Sequence, residues 1–178
     1  MIVVLLQAAV VAGIAFYFYR WRSEVRRRNA QSWDSLLARL RPDWSARELS
    51  DRFLWKEGLS ATAEEIWQRL EGPKGLWVIY RNSSVMLEMA DYAAKNARDG
   101  GDSEGVDRVL LETLRSDAMQ IRVCVLTALS QYGFSQASEG VRVNAFRAAT
   151  IYTGMAARMT QLIQVHAALV LPDFVAAM

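Results

Sequence analysis

The sequence predicts an all-α protein in which one N-terminal transmembrane helix is followed by a cytoplasmic multi-helix bundle. Three observations carry this expectation: nineteen uncharged residues at the start, a cluster of arginines directly behind them, and apolar residues recurring every three or four positions through the later segments. No alternating β-branched run bounded by turn residues occurs, so little or no sheet is expected.

The first element is M-I-V-V-L-L-Q-A-A-V-V-A-G-I-A-F-Y-F-Y, residues 1–19. As a helix rising 1.5 Å per residue it is roughly 28 Å long, enough to cross a bilayer core. A cleaved signal peptide would carry its positive charge ahead of the apolar run, whereas here Arg20, Arg22, Arg26, Arg27 and Arg28 all follow it. The positive-inside rule then places the carboxyl side in the cytoplasm of the cell membrane and the amino terminus outside. Tyr17, Tyr19 and Trp21 stand where an interfacial aromatic belt belongs, and with the five arginines they form the expected membrane-interface set. Residues 1–19 are therefore read as the anchor, 20–31 as a basic juxtamembrane neck, and 32–178 as an all-helical cytoplasmic domain. The lipid bilayer is the first expected partner.

Within the anchor, Ala8 with Ala12 and Ala9 with Gly13 make two overlapping small-xxx-small pairs. Such a face lets helices approach closely, so a second copy or another membrane subunit is the expected protein partner. Nucleic acid is disfavoured as a ligand of the arginines, because the run lies within a Debye length of the bilayer and no reader module accompanies it.

The net charge of +2 conceals this arrangement: residues 29–178 hold 16 basic and 18 acidic side chains, so the domain itself is slightly acidic. Its length suits one core rather than two. S-A-R-E at Ser45–Glu48 and T-A-E-E at Thr62–Glu65 both fit capping boxes, and Pro42, Gly58, Gly72 and Pro73 punctuate the chain, giving helices near 20–41, 46–56 and 61–71. From Lys74 to Ala97 the apolar positions follow one helical face. D-G-G-D-S-E-G, residues 99–105, is a loop leading to a helix cap at Asp102 or Ser103; it lacks the alternation of a calcium loop and the G-K-[ST] of a phosphate loop. Val106 to Leu129 continue the helical period, with a break expected at Ser116 and Asp117. Residues 139–171 make a charge-poor helix. Arg158, Gln161, Gln164 and His166 interrupt any apolar stretch of spanning length, so a central helix of a bundle of five to seven helices is favoured over a second membrane span.

The six tryptophans, Trp21, Trp33, Trp44, Trp55, Trp67 and Trp77, are spaced by ten to twelve residues, but the intervals between them do not match as a repeat requires. Each ring is expected to lock a short helix onto the bundle, and Trp33, Trp44 and Trp55 are the candidates for a bilayer or partner contact.

Chemistry is sparse. One cysteine, Cys124, and one histidine, His166, exclude the ligand sets of zinc, haem and di-iron sites, so neither a metal nor a cofactor is expected. Cys124 reads as a small buried hydrophobe and His166 as a hydrogen-bonded core residue. Glu88 and Asp91, three apart on one helix, are the minimum for acid and base work. Asn82-Ser83-Ser84 is formally a glycosylation sequon, made irrelevant by a cytoplasmic helix. The expected function is a membrane-tethered, non-catalytic interaction module, an accessory subunit of a membrane complex. The rival is an enzyme acting on a hydrophobic substrate between helices, with His166, Glu88 or Asp91 as its working groups.

Overall fold

Thr62 begins the best-defined short helix of the chain and explains its own position. Its hydroxyl accepts from the Glu65 amide at 3.2 Å while the Glu65 carboxylate accepts from the Thr62 amide at 2.8 Å, closing the capping box expected from T-A-E-E. The computed structural model describes residues 32–41, 62–99, 107–135 and 138–177. In chain order these form α1 (Trp33–Leu37), α2 (Ala63–Arg69), α3 (Pro73–Asp99), α4 (Arg108–Ser135), α5 (Glu139–His166), a single 3-10 turn (Ala168–Val170) and α6 (Leu171–Ala177). The described residues contain no strand, and the all-α class holds for them.

Three long helices of 27, 28 and 28 residues make the bundle, each about 40 Å long. Cross-links fix their directions. Asp91 meets Arg115 and Ser84 meets Arg122 between α3 and α4, while Gln131 meets Asn144 and Asp117 meets Arg158 between α4 and α5. Residues later in one helix thus pair with residues earlier in the next, which makes each neighbouring pair antiparallel.

α5 is the hub, packing against α4, α3, α2 and α6. Its inward face carries Ala145, Ala148, Ala149 and Ala156 between Tyr152, Met155, Met159, Leu162 and Ile163, all buried. The alanines let neighbouring backbones approach, and the larger side chains fill what remains. Against this face α3 contributes Leu76, Ile79, Met86, Met89, Ala90 and Ala93, and α4 contributes Leu114, Ala118, Ile121 and Val125. Short α1 is held by Leu36, fully buried, with Leu40 just behind it. Each such burial stabilises by about 1.5–3 kcal/mol, more than a five-residue helix could supply from its own backbone.

The turn between α2 and α3 depends on glycine. Glu71 and Gly72 both adopt positive φ (52° and 67°), and a Cβ on Gly75 would lie 2.1 Å from the Leu70 carbonyl oxygen. Gly75 instead lets its amide donate to that oxygen at 3.0 Å.

Four expectations are corrected. α4 runs unbroken through Ser116 and Asp117, because Asp117 turns inward to Arg158 while Ser116 stays on the exposed face. α4 also begins later than a cap at Asp102 or Ser103 would set it: Asp107 accepts from the Val109 amide at 2.8 Å, one turn down the chain. α5 stops at His166 rather than reaching 171, since Ala167 leaves the helical region at φ −154° and a short 3-10 turn redirects the chain into α6. α1 occupies Trp33–Leu37, with turns at Ala38 and Arg39, so no helix continues to residue 41. No helix among the described residues is long and apolar enough to cross a membrane. The anchor 1–19, the neck, the helix expected at 46–56 and the loop at 100–105 lie outside the described residues.

Candidate interaction surface

The two antiparallel helices α4 and α5 leave one side of their pair unfilled. Along α4, where successive residues advance about 100°, Val109, Met119, Val123, Leu126 and Phe134 fall within an arc of about 100°. They are exposed at 72%, 61%, 55%, 51% and 93%. Phe146 of α5 is exposed beside them. Between the helices runs an open groove of about 400 Å³ lined by Met119, Gln120, Val123, Cys124, Phe146, Arg147, Thr150 and Ile151. Glu112, Ser116 and Ser130 fall in the same arc, so the stripe is apolar without interruption only from Met119 to Leu126, and that stretch with Phe146 is the candidate contact surface.

The polar members of the groove are almost all occupied within their own helices. Thr150 donates its hydroxyl to the Phe146 carbonyl at 2.9 Å, and Gln120 donates to the Ser116 hydroxyl at 3.2 Å. Arg147 differs: it is exposed and makes no ion pair among the described residues. Burial pushes the Cys124 thiol above its ordinary range, and the nearby Arg147 offsets only part of that. A raised thiol is a poor nucleophile, so Cys124 contributes surface to the groove rather than reactivity. The residue expected as buried is half-buried here because its position on α4 faces the gap rather than the core.

The candidate acid-base groups are held apart. Glu88 receives both guanidinium nitrogens of Arg39 at 2.6 and 2.9 Å, and Asp91 receives Arg115 at 3.0 Å. That bidentate contact keeps the Arg39 guanidinium more firmly charged than usual. His166 ends α5 partly exposed, its side chain making no hydrogen bond among the described residues, which corrects its expected place as a hydrogen-bonded core residue. None of the three lines the groove. Among the described residues no group of three or more His, Cys, Asp or Glu side chains could hold a metal ion.

A second polar centre is structural and was not anticipated. Asn82, fully buried on α3, accepts from the Arg41 amide at 3.0 Å and donates to the Arg41 carbonyl at 2.9 Å and to the Tyr152 hydroxyl at 3.0 Å. It ties the end of the α1 segment to α3 and α5. The sequon at Asn82 is thus closed by packing, since the amide that a sugar would need is inside the bundle. Only the polarity of R-N-S-S inside an apolar helix signalled it in the sequence.

Of the tryptophans, Trp67 is buried against Tyr132 (5.7 Å between ring centres) and Trp33 meets Tyr92 edge-on at 5.1 Å, both tying short helices to long ones. Trp77 is 52% exposed beside Tyr80. Trp21, Trp44 and Trp55, the interface residues from Tyr17 to Arg28 and the pairing residues from Ala8 to Gly13 lie outside the described residues. No family model matches the chain, and no curated protein or solved structure matches it either.

Proposed function

We propose that the chain is a single-pass membrane protein whose cytoplasmic helical domain is a non-catalytic interaction module, an accessory subunit of a membrane complex. Residues 1–19 anchor it with the amino terminus outside, Tyr17, Tyr19, Trp21 and the five arginines sit at the inner interface, and the Ala8, Ala9, Ala12 and Gly13 face pairs with a second copy or another membrane subunit. The observation that carries the reading is the distribution of side chains in the bundle: ionisable groups tie helices together, while exposed large apolar residues collect on the α4–α5 face. An enzyme of the rival kind needs polar groups converging on a pocket, and among the described residues the groove holds Arg147 as its only charged member.

The test is topological. The full chain, tagged at its carboxyl end and expressed in a bacterial host, is extracted with alkaline carbonate, and protease is added outside intact spheroplasts. Retention in the membrane with a protected tag is the expected result. Release by carbonate, or digestion of the tag, overturns the anchor or its orientation.

A further inference from the structure

We infer that α1 and α6 open and close as one unit, a latch lying against α3 and α5, with its hinge at Ala167. The two helices come from opposite ends of the described residues, yet they pack on each other. Neither can support itself. α1 has five residues and α6 has seven, well short of the roughly 12–15 at which an isolated helix becomes marginal in water. Within each, one side chain is fully buried, Leu36 in α1 and Phe174 in α6. Both helices therefore exist by docking, and part of what each docks on is the other.

Their remaining attachments differ in kind. α1 lies along α3, where Trp33 meets the Tyr92 ring, Arg39 meets the Glu88 carboxylate and the Arg41 backbone meets Asn82. These contacts run in opposite directions along the two segments, so α1 is strapped antiparallel to α3 by directional polar bonds. α6 lies on α5 and on the 3-10 turn that leads into it. No α6 side chain makes a hydrogen bond or ion pair with another described residue. Phe174 inside, with Val170, Leu171 and Ala177 partly buried around it, is what holds α6 down, while Pro172, Asp173, Val175 and Ala176 face outward. α1 is thus the catch and α6 the lid: freeing α1 takes away one wall against which the lid rests.

The backbone marks the hinge. The α5 ladder ends with the Ala167 amide on the Ile163 carbonyl at 2.8 Å, and Ala167 itself leaves the helical region. Bonding resumes beyond it, with the Val170 amide on the Ala167 carbonyl and the Leu171 amide on the Ala168 carbonyl. Rotation at this one residue moves α6 without breaking a bond of α5, as element-terminal hinges do. The coupling is reciprocal: whatever steadies α6 favours a seated α1, and loss of the Arg39–Glu88 or Asn82 contacts loosens α6.

The test is hydrogen exchange on the folded full chain at rising, sub-denaturing urea. The Ala38, Arg39 and Leu40 amides and the Val170 and Leu171 amides are expected to converge on one opening isotherm with a single slope, below that of the Tyr152 amide in the middle of α5. Phe174→Ala should speed the α1 amides at least about ten-fold, and Leu36→Ala the Val170 and Leu171 amides by a similar factor, with Tyr152 unchanged. If Phe174→Ala loosens the Tyr152 amide as well, Phe174→Leu gives the same comparison in a folded chain. Separate isotherms for α1 and α6, or α1 amides that keep their rates when Phe174 is cut back, overturn the inference and make the two helices independent. Convergence of both sets only on the isotherm of the Tyr152 amide also overturns it, since the latch would then not open apart from the bundle.

Discussion

Asn82→Ala is the substitution whose consequence can be worked most fully from the structure. It removes two hydrogen bonds to the Arg41 backbone and one to the Tyr152 hydroxyl. Arg41 is exposed, so water can replace part of its loss, and the two bonds together contribute about 1–2 kcal/mol. Tyr152 is 1% exposed and its lost bond has less chance of replacement by water, adding about 1–2 kcal/mol. The sum, about 3 kcal/mol, is a large share of the 5–15 kcal/mol typical of a domain and corresponds to a fall of roughly 6–12 °C in Tm. Tyr152→Phe alone should cost about 1 kcal/mol. In a double-mutant cycle followed by urea unfolding, the pair should show a coupling of about 1 kcal/mol, because each single change already removes the shared bond. Hydrogen exchange should locate the damage: the Ala38, Arg39 and Leu40 amides, bonded within the α1 segment, should exchange faster while the Ala167 amide on Ile163 is unchanged. An Asn82→Ala loss below about 1 kcal/mol, or a cycle that is simply additive, would refute the picture of Asn82 as the clasp between α1, α3 and α5.

Gly75→Ala should destabilise by about 2–3 kcal/mol or shift the α2–α3 turn, because its Cβ would meet the Leu70 carbonyl oxygen at 2.1 Å; unchanged unfolding would show that the turn yields freely. Thr62→Ala should cost about 1 kcal/mol through the lost cap. The same change should raise the Glu65 titration seen by NMR, because hydrogen bonds from Thr62 hold that carboxyl below its ordinary range. In the native chain the cap's contribution is therefore present above the ordinary glutamate pKa and is lost as pH falls through the lowered value. Asp117 has the opposite sign: burial raises its carboxyl above the ordinary aspartate range, with Arg158 offsetting part of the effect. Its protonated form suits the fold, so that contribution is present at low pH and is lost as pH rises through the raised value. Arg158→Met should enlarge the shift and cost about 2 kcal/mol at pH 7 but less in acid, as stability curves at both pH values would read.

The helical class was legible because its signals are local. A capping box needs only four residues, and T-A-E-E closed where it stands; the Gly72–Pro73 turn and the long periodic run after it were equally readable. The break expected at Ser116–Asp117 does not occur, for the reverse cause. Serine followed by aspartate looks like a fresh cap until a partner from another helix is known, and Arg158 lies 41 residues away. The ends of α4 and α5 were misjudged for the same reason, since periodicity continues past the point where packing turns the chain.

The candidate surface divides in the same way. Val109, Met119, Val123, Leu126 and Phe134 are apolar in a helix, and the sequence alone assigns such residues to a core. Which arc of α4 is covered depends on where α3 and α5 lie, and they cover the Leu114, Ile121 and Val125 side. Glu88 and Asp91 share a helix in sequence, but their partners come from two other elements, so only the assembled bundle turns a possible acid-base pair into two cross-links. By itself, then, the sequence determined that the described residues are helical and that a capped turn falls at Thr62, and it set apolar length and arginines side by side in residues 1–28. Tertiary structure alone decided that Asn82 is a clasp, that Cys124 opens on a groove, and that Met119, Val123 and Leu126 face outward. The physical reason is range: caps and turns are satisfied within a few residues, whereas exposure is a property of which neighbours arrive.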